Sequence, residues 1–566
     1  MTQLISESLL SQAIANQHER MRGYEIPSEA LTFETVRALD YAFCRELMPH
    51  LPELNVSERR HQFILQRGVN GALSRVLPKE LAYTRPRIFA SSSFTQEQAD
   101  EFLFDSGLLW LASHLFTQLR AGFLQGHLDS RRQVQGMKIL VLTASDETLY
   151  YEQVGYAGVD WLSDRALQLG RPKEEELRCV REAMLPQMTQ RILSGAHDGE
   201  GLFPEADRHF YECAQVYLSR MPYRDLLSDD DRIGGRPYSD YVQVLTALST
   251  LNETRLCTAT ILHSERPHLD MRNLLTGGTF ADELIEVVAS FLDAEMGEVK
   301  HLLTHLTLSP FNSSSHLDRG TPAWAPIVQT SANFCALPCY GLDMNPFIFL
   351  ATELREHYKS DWFEAANARE SRWITELRLL FPAPRWRCVD GVKIRRRGKV
   401  VTDIDFVAYD SASRTAALFQ LKWQQPSAGD EKTRRNNASN LVSECNKWIA
   451  AVSEWLAEEG LPVLAQRLGI PRDDLTDSSL FVLGRYGAHF SGHANADLCA
   501  AWSNWGHFER ERTLHPSATV REMFDNLVED VTEIKRTVQP ESLTLPLPGL
   551  VLVVNPNRRP ADMELP

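Results

Sequence analysis

Long apolar runs are missing from this 566-residue chain. The longest fall far short of the roughly 20 residues that a membrane-spanning helix needs, so no membrane partner is expected. The opening MTQLISESLLSQAIANQHER has no basic start followed by an apolar core, which argues against a secretory leader and sets a cytoplasmic location as the expectation. Cysteine is scarce and scattered. Nine occur, and Cys335 with Cys339 has no companion pair at zinc-site spacing, so reduced thiols are expected in place of a disulfide framework. Neither Gly234-Gly235-Arg236 nor Gly277-Gly278 belongs to a phosphate-cradling glycine motif, and no Walker-type sequence occurs, which leaves intrinsic ATP use unsupported. The serines and histidines suggest no hydrolase triad, and there is no internal repeat or low-complexity tract.

One histidine pattern needs weighing. His301 and His305 stand four apart on a predicted helix, with Glu298 three before His301, so all three share a face that a metal ion can reach. No second motif accompanies them, and core or surface histidines are the reading adopted.

What the chain does have is charge, unevenly placed. The whole chain carries −16, yet residues 385–435 hold twelve Lys/Arg against six Asp/Glu, leaving 47 against 69 elsewhere. Arg385, Arg387, Lys393, Arg395, Arg396, Arg397 and Lys399 come first, and Lys432, Arg434 and Arg435 close the segment. Phosphate backbones attract such clusters without reading sequence.

Between these groups, residues 400–424 read VVTDIDFVAYDSASRTAALFQLKWQ. Strand side chains alternate with period two, so Asp403 and Asp405 share one face while Ile404, Phe406 and Ala408 take the other. Gln420 and Lys422 pair up likewise, opposite Phe419, Leu421 and Trp423. Asp410, Ser411, Ser413 and Arg414 supply turn chemistry. A hairpin folded about its middle sets Asp405 across from Gln420 and Asp403 across from Lys422. Such a cluster suits Mg²⁺ (or Mn²⁺), a hard ion that accepts a carboxylate and an amide oxygen and keeps several waters. Asp405 and Gln420 are the expected ligands, and Lys422 the group that steadies charge on a phosphate.

The order Asp405, apolar strand, Phe419-Gln420-Leu421-Lys422 resembles the PD-(D/E)xK nuclease superfamily in its Gln-x-Lys form, as in Mrr-like endonucleases, although no proline precedes Asp405. That resemblance implies an α/β restriction-endonuclease-like core and cleavage of nucleic acid, most simply DNA, in defence against foreign DNA. It also implies a glutamate on the helix before the hairpin. In residues 369–381 the apolar stripe is Trp373, Ile374, Leu377, Leu380 and Phe381; Glu370 falls near its centre and is the residue carried over, whereas Glu376 falls off it as a solvated acid. The competing reading is a nuclease-like binding or scaffold protein that has lost activity.

Downstream, Leu441, Cys445, Trp448, Ile449, Val452, Trp455 and Leu456 predict a helix ending at Gly460. Strands are expected over 479–486 and 550–554, with a helix over 520–531. Upstream, helical spacing dominates, as in 96–125 and 281–308, with a strand at 137–143. Turn-rich breaks fall at 198–201, 228–237 and 309–322. The expected organisation is a mainly α-helical region over 1–345, which regulates, senses or binds a protein partner or a second copy, followed by a nuclease-like domain over 346–566.

Overall fold

The computed structural model describes all residues except 1, 23, 25–27, 46–50, 52, 84–89, 135, 145, 196–201, 425–430, 491–495, 538–541 and 555–566. The expected break at 198–201 therefore lies outside the described residues. The chain is mixed α/β, 61% helical and 17% strand. Among the described residues no helix is long and apolar enough to cross a membrane.

Two compact units divide the chain. The first contains Met1–Leu142, Leu169–Phe363 and Ser542–Val554, and the second Thr143–Gln168 and Glu364–Glu541. A single cut near residue 345 differs from this division in three places, the first being that residues 346–363 stay with the first unit. Residues 143–168 belong with the second unit. The strand Leu550–Val554, which was expected to extend the nuclease-like domain, pairs in parallel with Met137–Ala144 and belongs to the first.

The first unit is helix-rich but carries more sheet than its periodicity suggests. One four-stranded sheet runs in the order Leu124–Val134, Met137–Ala144, Leu550–Val554, Leu543–Leu547. A second contains Gly277–Phe280, Phe334–Leu337, Ile327–Gln329 and Thr307–Leu308. The helical stretch expected over 281–308 is broken into Ala281–Leu292 and Met296–Thr304 by Asp293, which adopts the left-handed conformation at φ 50°. At the end of that stretch Thr307–Leu308 is strand.

The second unit is a three-layer sandwich. Its sheet has the order β5-β4-β3-β2-β1, where β1 is Trp386–Arg396, β2 Lys399–Asp410, β3 Thr415–Lys422, β4 Asp477–Gly484 and β5 Ala500–Asn504. The first three strands meander antiparallel, and β3, β4 and β5 run parallel. Sequence patterning missed β1, because its charged residues hide the alternation of Val392 and Ile394, and it missed the short β5. The β1–β2 turn is tight: Arg397 and Gly398, at φ 51° and 81°, fill both central positions, as a two-residue hairpin requires.

Parallel strands need a crossover. Between β3 and β4 it is supplied by α2 (Glu431–Glu459) and α3 (Leu461–Leu468). Gly460, at φ 80°, separates the two helices. The apolar side of α2, with Leu441, Cys445, Trp448, Ile449, Val452 and Trp455, packs on Val392, Ile394, Ile404, Val407 and Leu418 of the sheet. On the opposite face, α1 (Lys359–Leu379), α4 (Trp505–Leu514) and α5 (Val520–Thr537) enclose Phe406, Ala408, Phe419, Leu421 and Phe481. Phe419 is fully buried and stacks on Phe481 at 5.0 Å.

Residues 143–168 join this unit through specific contacts. Trp161 stacks on the buried His507 ring at 3.8 Å, and Asn504 Nδ2 donates to Gly158 O at 2.8 Å. Any side chain at Gly506 would set its Cβ 2.8 Å from Trp161 O. That approach is closer than packed atoms tolerate.

Candidate functional site in the second unit

The hairpin register is the one the sequence predicts. Phe406 pairs with Phe419 and Asp410 with Thr415, which carries Asp405 to the level of Gln420. The turn closes on Asp410, whose buried carboxylate receives both ends of the Arg385 guanidinium at 2.9 and 2.7 Å and the Ser413 hydroxyl at 2.8 Å. Burial alone would raise the Asp410 pKa, but these donors outweigh it and hold the group below the usual range. Arg385 is thus part of the turn and not of a free phosphate-binding cluster.

The face assignment holds only in part. Ile404 packs in the core under α2, whereas Phe406, two residues on, packs in the core under α1. A regular strand would put both on one side. The interruption falls at Asp405, opposite Gly391, which lies between the β1 residues paired to Ile404 and Phe406 and has φ 60°. The expected grouping of Ile404 with Phe406 and Ala408 is therefore corrected.

At this irregularity β2 and β3 part, and the Asp405 side chain replaces the missing ladder. Its Oδ2 accepts the Leu421 backbone N–H at 2.7 Å and a hydrogen bond from Gln420 Nε2. Its Oδ1 accepts none among the described residues. The group is 7% exposed, and burial is the first reason that its pKa is pushed up to about 7. The Leu421 N–H pulls the other way, Glu370 and Asp403 push it higher, and Lys422 lowers it. These influences place Glu370, Asp403 and Lys422 around Asp405 within electrostatic reach.

The individual roles differ from expectation. Asp403 is exposed and lies across from Lys393 in the register, while its carbonyl accepts the Trp448 indole N–H at 2.7 Å. Lys422 Nζ donates to Glu444 Oε2 on α2 at 3.0 Å. Burial would lower the Lys422 pKa, but Glu444 and neighbouring acids raise it on balance, so the ammonium charge persists. Gln420 turns its amide nitrogen towards Asp405; for its oxygen to meet a shared cation, the amide must rotate. Glu370 is exposed, not core-facing, and the buried position next to it belongs to Arg369. The apolar stripe from Trp373 to Phe381 packs as expected, but one turn earlier the inward position is taken by Arg369, whose guanidinium lies 5.8 Å from the Trp423 ring.

Glu376 is the second correction on α1. It is half-buried and pairs at 2.7 Å with Arg485, which is 1% exposed. Arg485 sits against Trp423, Trp505 and Trp373 at 4.7, 5.3 and 5.5 Å, and its backbone N–H donates to Lys422 O at 3.0 Å. Sequence reasoning passed over both Arg485 and Glu444. The only signal for Arg485 was a cation one glycine beyond the apolar strand residues Leu480-Phe481-Val482-Leu483.

The basic residues also divide. Arg396 shares the parity of Val392 and Ile394, faces α2 and pairs with Glu454 at 3.1 Å and with Glu458. Two carboxylates thus offset its charge, and a phosphate would have to compete with them for it. Arg395, Arg397 and Lys399 are exposed around the β1–β2 turn. At 3.3 Å per residue that turn lies roughly 20 Å along β2 from Asp405. Arg434 and Arg435 on α2 are half-buried and engaged in other interactions, and the Lys432 side chain lies outside the described residues.

Comparison of the chain with family models, with curated proteins and with solved structures returns no match.

The raised Asp405 pKa fixes the sign of a stability effect. An unfolded Asp ionises near 3.8 and the folded one near 7, so the contribution is complete below about pH 4 and is lost as pH climbs through 7. Asp405→Asn removes the ionising group. It is expected to flatten this pH dependence and to raise stability at pH 8 by on the order of 1–3 kcal/mol, measured as denaturant midpoints at pH 5 and pH 8. A variant less stable than the parent at pH 8 would contradict the assignment.

Proposed function

We propose that the second unit is a metal-dependent nuclease domain that hydrolyses phosphodiester bonds in nucleic acid, with DNA as the first substrate to test. The observation that carries this reading is the convergence of Asp405, Gln420 and Lys422, with Asp403 and Glu370 in electrostatic range, where two antiparallel interior strands of the sheet part. The meander of three strands, followed by a crossover helix and parallel strands, is consistent with the PD-(D/E)xK resemblance.

The donor set fits a hard divalent ion. Asp405 offers Oδ1, Asp403 and Glu370 add nearby negative charge, and the Gln420 amide has an oxygen within reach of rotation. Asp405 and Gln420 would hold Mg²⁺ or Mn²⁺, which when bound supplies an activated water and neutralises phosphate charge. The protein's own part is positional. The Leu421 N–H orients the Asp405 carboxylate, the adjoining core excludes water from its far side, and Lys422 keeps a positive charge beside the place where phosphate charge develops. Glu444 holds that ammonium in place. The first unit is assigned a regulatory or partner-binding role, and action against foreign DNA remains an analogy with the resembled family.

One observation favours a second reading. Gln420 hydrogen-bonds Asp405, and Lys422 is paired with Glu444, so these groups satisfy one another, as they would in a nuclease-like scaffold without activity. Incubating the full chain with plasmid, linear and single-stranded DNA and with RNA, each with Mg²⁺, Mn²⁺ or EDTA, separates the readings. Metal-dependent cleavage is expected, falling roughly a hundredfold or more in Asp405→Ala and in Lys422→Ala. Equal cutting by both variants and the parent overturns the site assignment, and no cutting by the parent favours the scaffold.

The arginines give an independent test of nucleic-acid contact. Replacing Arg395 and Arg397 together is expected to weaken binding and to flatten the slope of log affinity against log salt by about two units, whereas Arg396→Ala should leave the slope unchanged. A slope unaffected by the double replacement removes the turn from the interface.

A further inference from the structure

The first unit contains a cluster that belongs to neither the nuclease-like site nor any charge pattern in the sequence. His305 caps the helix Met296–Thr304 and is 4% exposed. Glu353, 2% exposed, and His357 occupy the last turns of Pro346–His357, four residues apart on one face. One ligand atom from each of the three, taken together, lies within 4.8 Å of the other two. Of the triad first weighed, only His305 takes part: Glu298 pairs with Arg236 at 2.8 Å, and His301 instead approaches the Tyr358 hydroxyl at 3.3 Å.

The hydrogen bonds around the cluster leave it short of a cation. His305 Nε2 lies 3.1 Å from Tyr358 Oη, and that hydroxyl is in turn 3.3 Å from His301 Nε2. A consistent proton order runs from His305 Nε2–H to the Tyr358 oxygen and from its hydroxyl to His301. This order leaves a lone pair on His305 Nδ1, which is buried and has no hydrogen-bond partner among the described residues. That lone pair faces the Glu353 carboxylate at 4.0 Å, beyond hydrogen-bond distance, and His357 Nε2 approaches the same oxygen at 3.9 Å. In this proton order His305 Nδ1 and the Glu353 carboxylate face one another as two buried acceptors, an arrangement that a positive charge between them would relieve, and His357 Nε2 in its unprotonated form adds a third ligand on the exposed side.

We propose that His305 Nδ1, Glu353 Oε2 and His357 Nε2 form a site for one divalent transition-metal ion, with Zn²⁺ the best match. Two imidazoles and a carboxylate suit zinc, which binds such ligands at about 2.0–2.2 Å and takes a solvent molecule as its fourth ligand. Closing from the present separations to tetrahedral spacing requires about an ångström of movement, for which the exposed His357 side chain has room. The other Glu353 oxygen is held by His316 Nε2 at 2.7 Å, and His316 stacks on Phe349 at 3.9 Å. This outer contact orients the carboxylate, as metal sites require. Burial, with His301 and His357 nearby, lowers the His305 pKa to about 4 even though Glu353 opposes the shift, so the ring is neutral and able to bind metal at ordinary pH. The ion would tie the segment after Met296–Thr304 to Pro346–His357, two elements of the first unit.

The test uses full-length protein without a histidine tag, stripped with a chelator and titrated with Zn²⁺ against a chromophoric indicator, with Co²⁺ as a spectroscopic substitute. One tight equivalent of Zn²⁺ is expected, together with a visible ligand-field spectrum for Co²⁺ and a melting temperature that rises with added zinc. Affinity should fall a hundredfold or more in His357→Ala, whose exposed side chain makes misfolding an unlikely complication, and in the isosteric Glu353→Gln. Asp405→Ala should keep the equivalent. The inference is overturned if the parent binds no stoichiometric zinc, if His357→Ala and Glu353→Gln bind it unchanged, or if Asp405→Ala loses it while His357→Ala does not.

Discussion

A carboxylate withdrawn from water must find donors or lose its charge, and in the second unit that constraint falls on Asp405. Two antiparallel strands part beside it, so the Leu421 N–H that would have bonded a strand carbonyl bonds the carboxylate at 2.7 Å instead. The same contact ends the ladder, fixes the acid and, among the described residues, leaves one of its oxygens without a hydrogen bond. The glycine opposite, at φ 60°, permits the strand to change faces at this point. Packing then follows: Ile404 goes to the core of α2 and Phe406 to the core of α1. A site built in this way is rigid because both cores meet at it.

The neighbouring end of the sheet is held by a buried cation. Arg485 lies among three indole rings, pairs with Glu376 and hydrogen-bonds the Lys422 carbonyl. Leaving the buried Arg485 guanidinium without its carboxylate partner is unfavourable, because the indoles around it offer no acceptor oxygen. The position of Lys422 therefore depends on β4 and α1 as well as on its own strand, and Glu444 adds a constraint from α2. Asp405, Lys422 and their supports are drawn from every layer of the sandwich, as a preorganised site needs.

Local periodicity made the centre of this unit legible. The β2–β3 hairpin, its register and the helix ending at Gly460 all follow from period-two and helical spacing in residues 400–460. What was not legible depended on contacts distant in sequence. Arg369, and not Glu370, turns inward because Trp423, 54 positions on, offers it an aromatic face. Arg396 looked like a phosphate ligand until α2 brought Glu454 and Glu458 to it. The strand 550–554 was visible, but its partner at 137–144 was not, since parallel pairing leaves no local mark. The His305, Glu353 and His357 cluster was hidden for a related reason: two of its residues match a helical spacing, and the third comes from a separate element.

The account rests on Asp405 being a metal ligand whose proton must leave before the ion enters. Calorimetric titration of the full chain with Mg²⁺, in buffers of different ionisation enthalpy, measures that proton directly. With the Asp405 carboxyl titrating near pH 7, binding at pH 6.5 should release a substantial fraction of one proton, and binding at pH 8.5 almost none. Asp405→Asn should abolish both the binding and the release. Binding by the full chain with no proton released at pH 6.5, or with equal affinity in Asp405→Asn, would contradict the account.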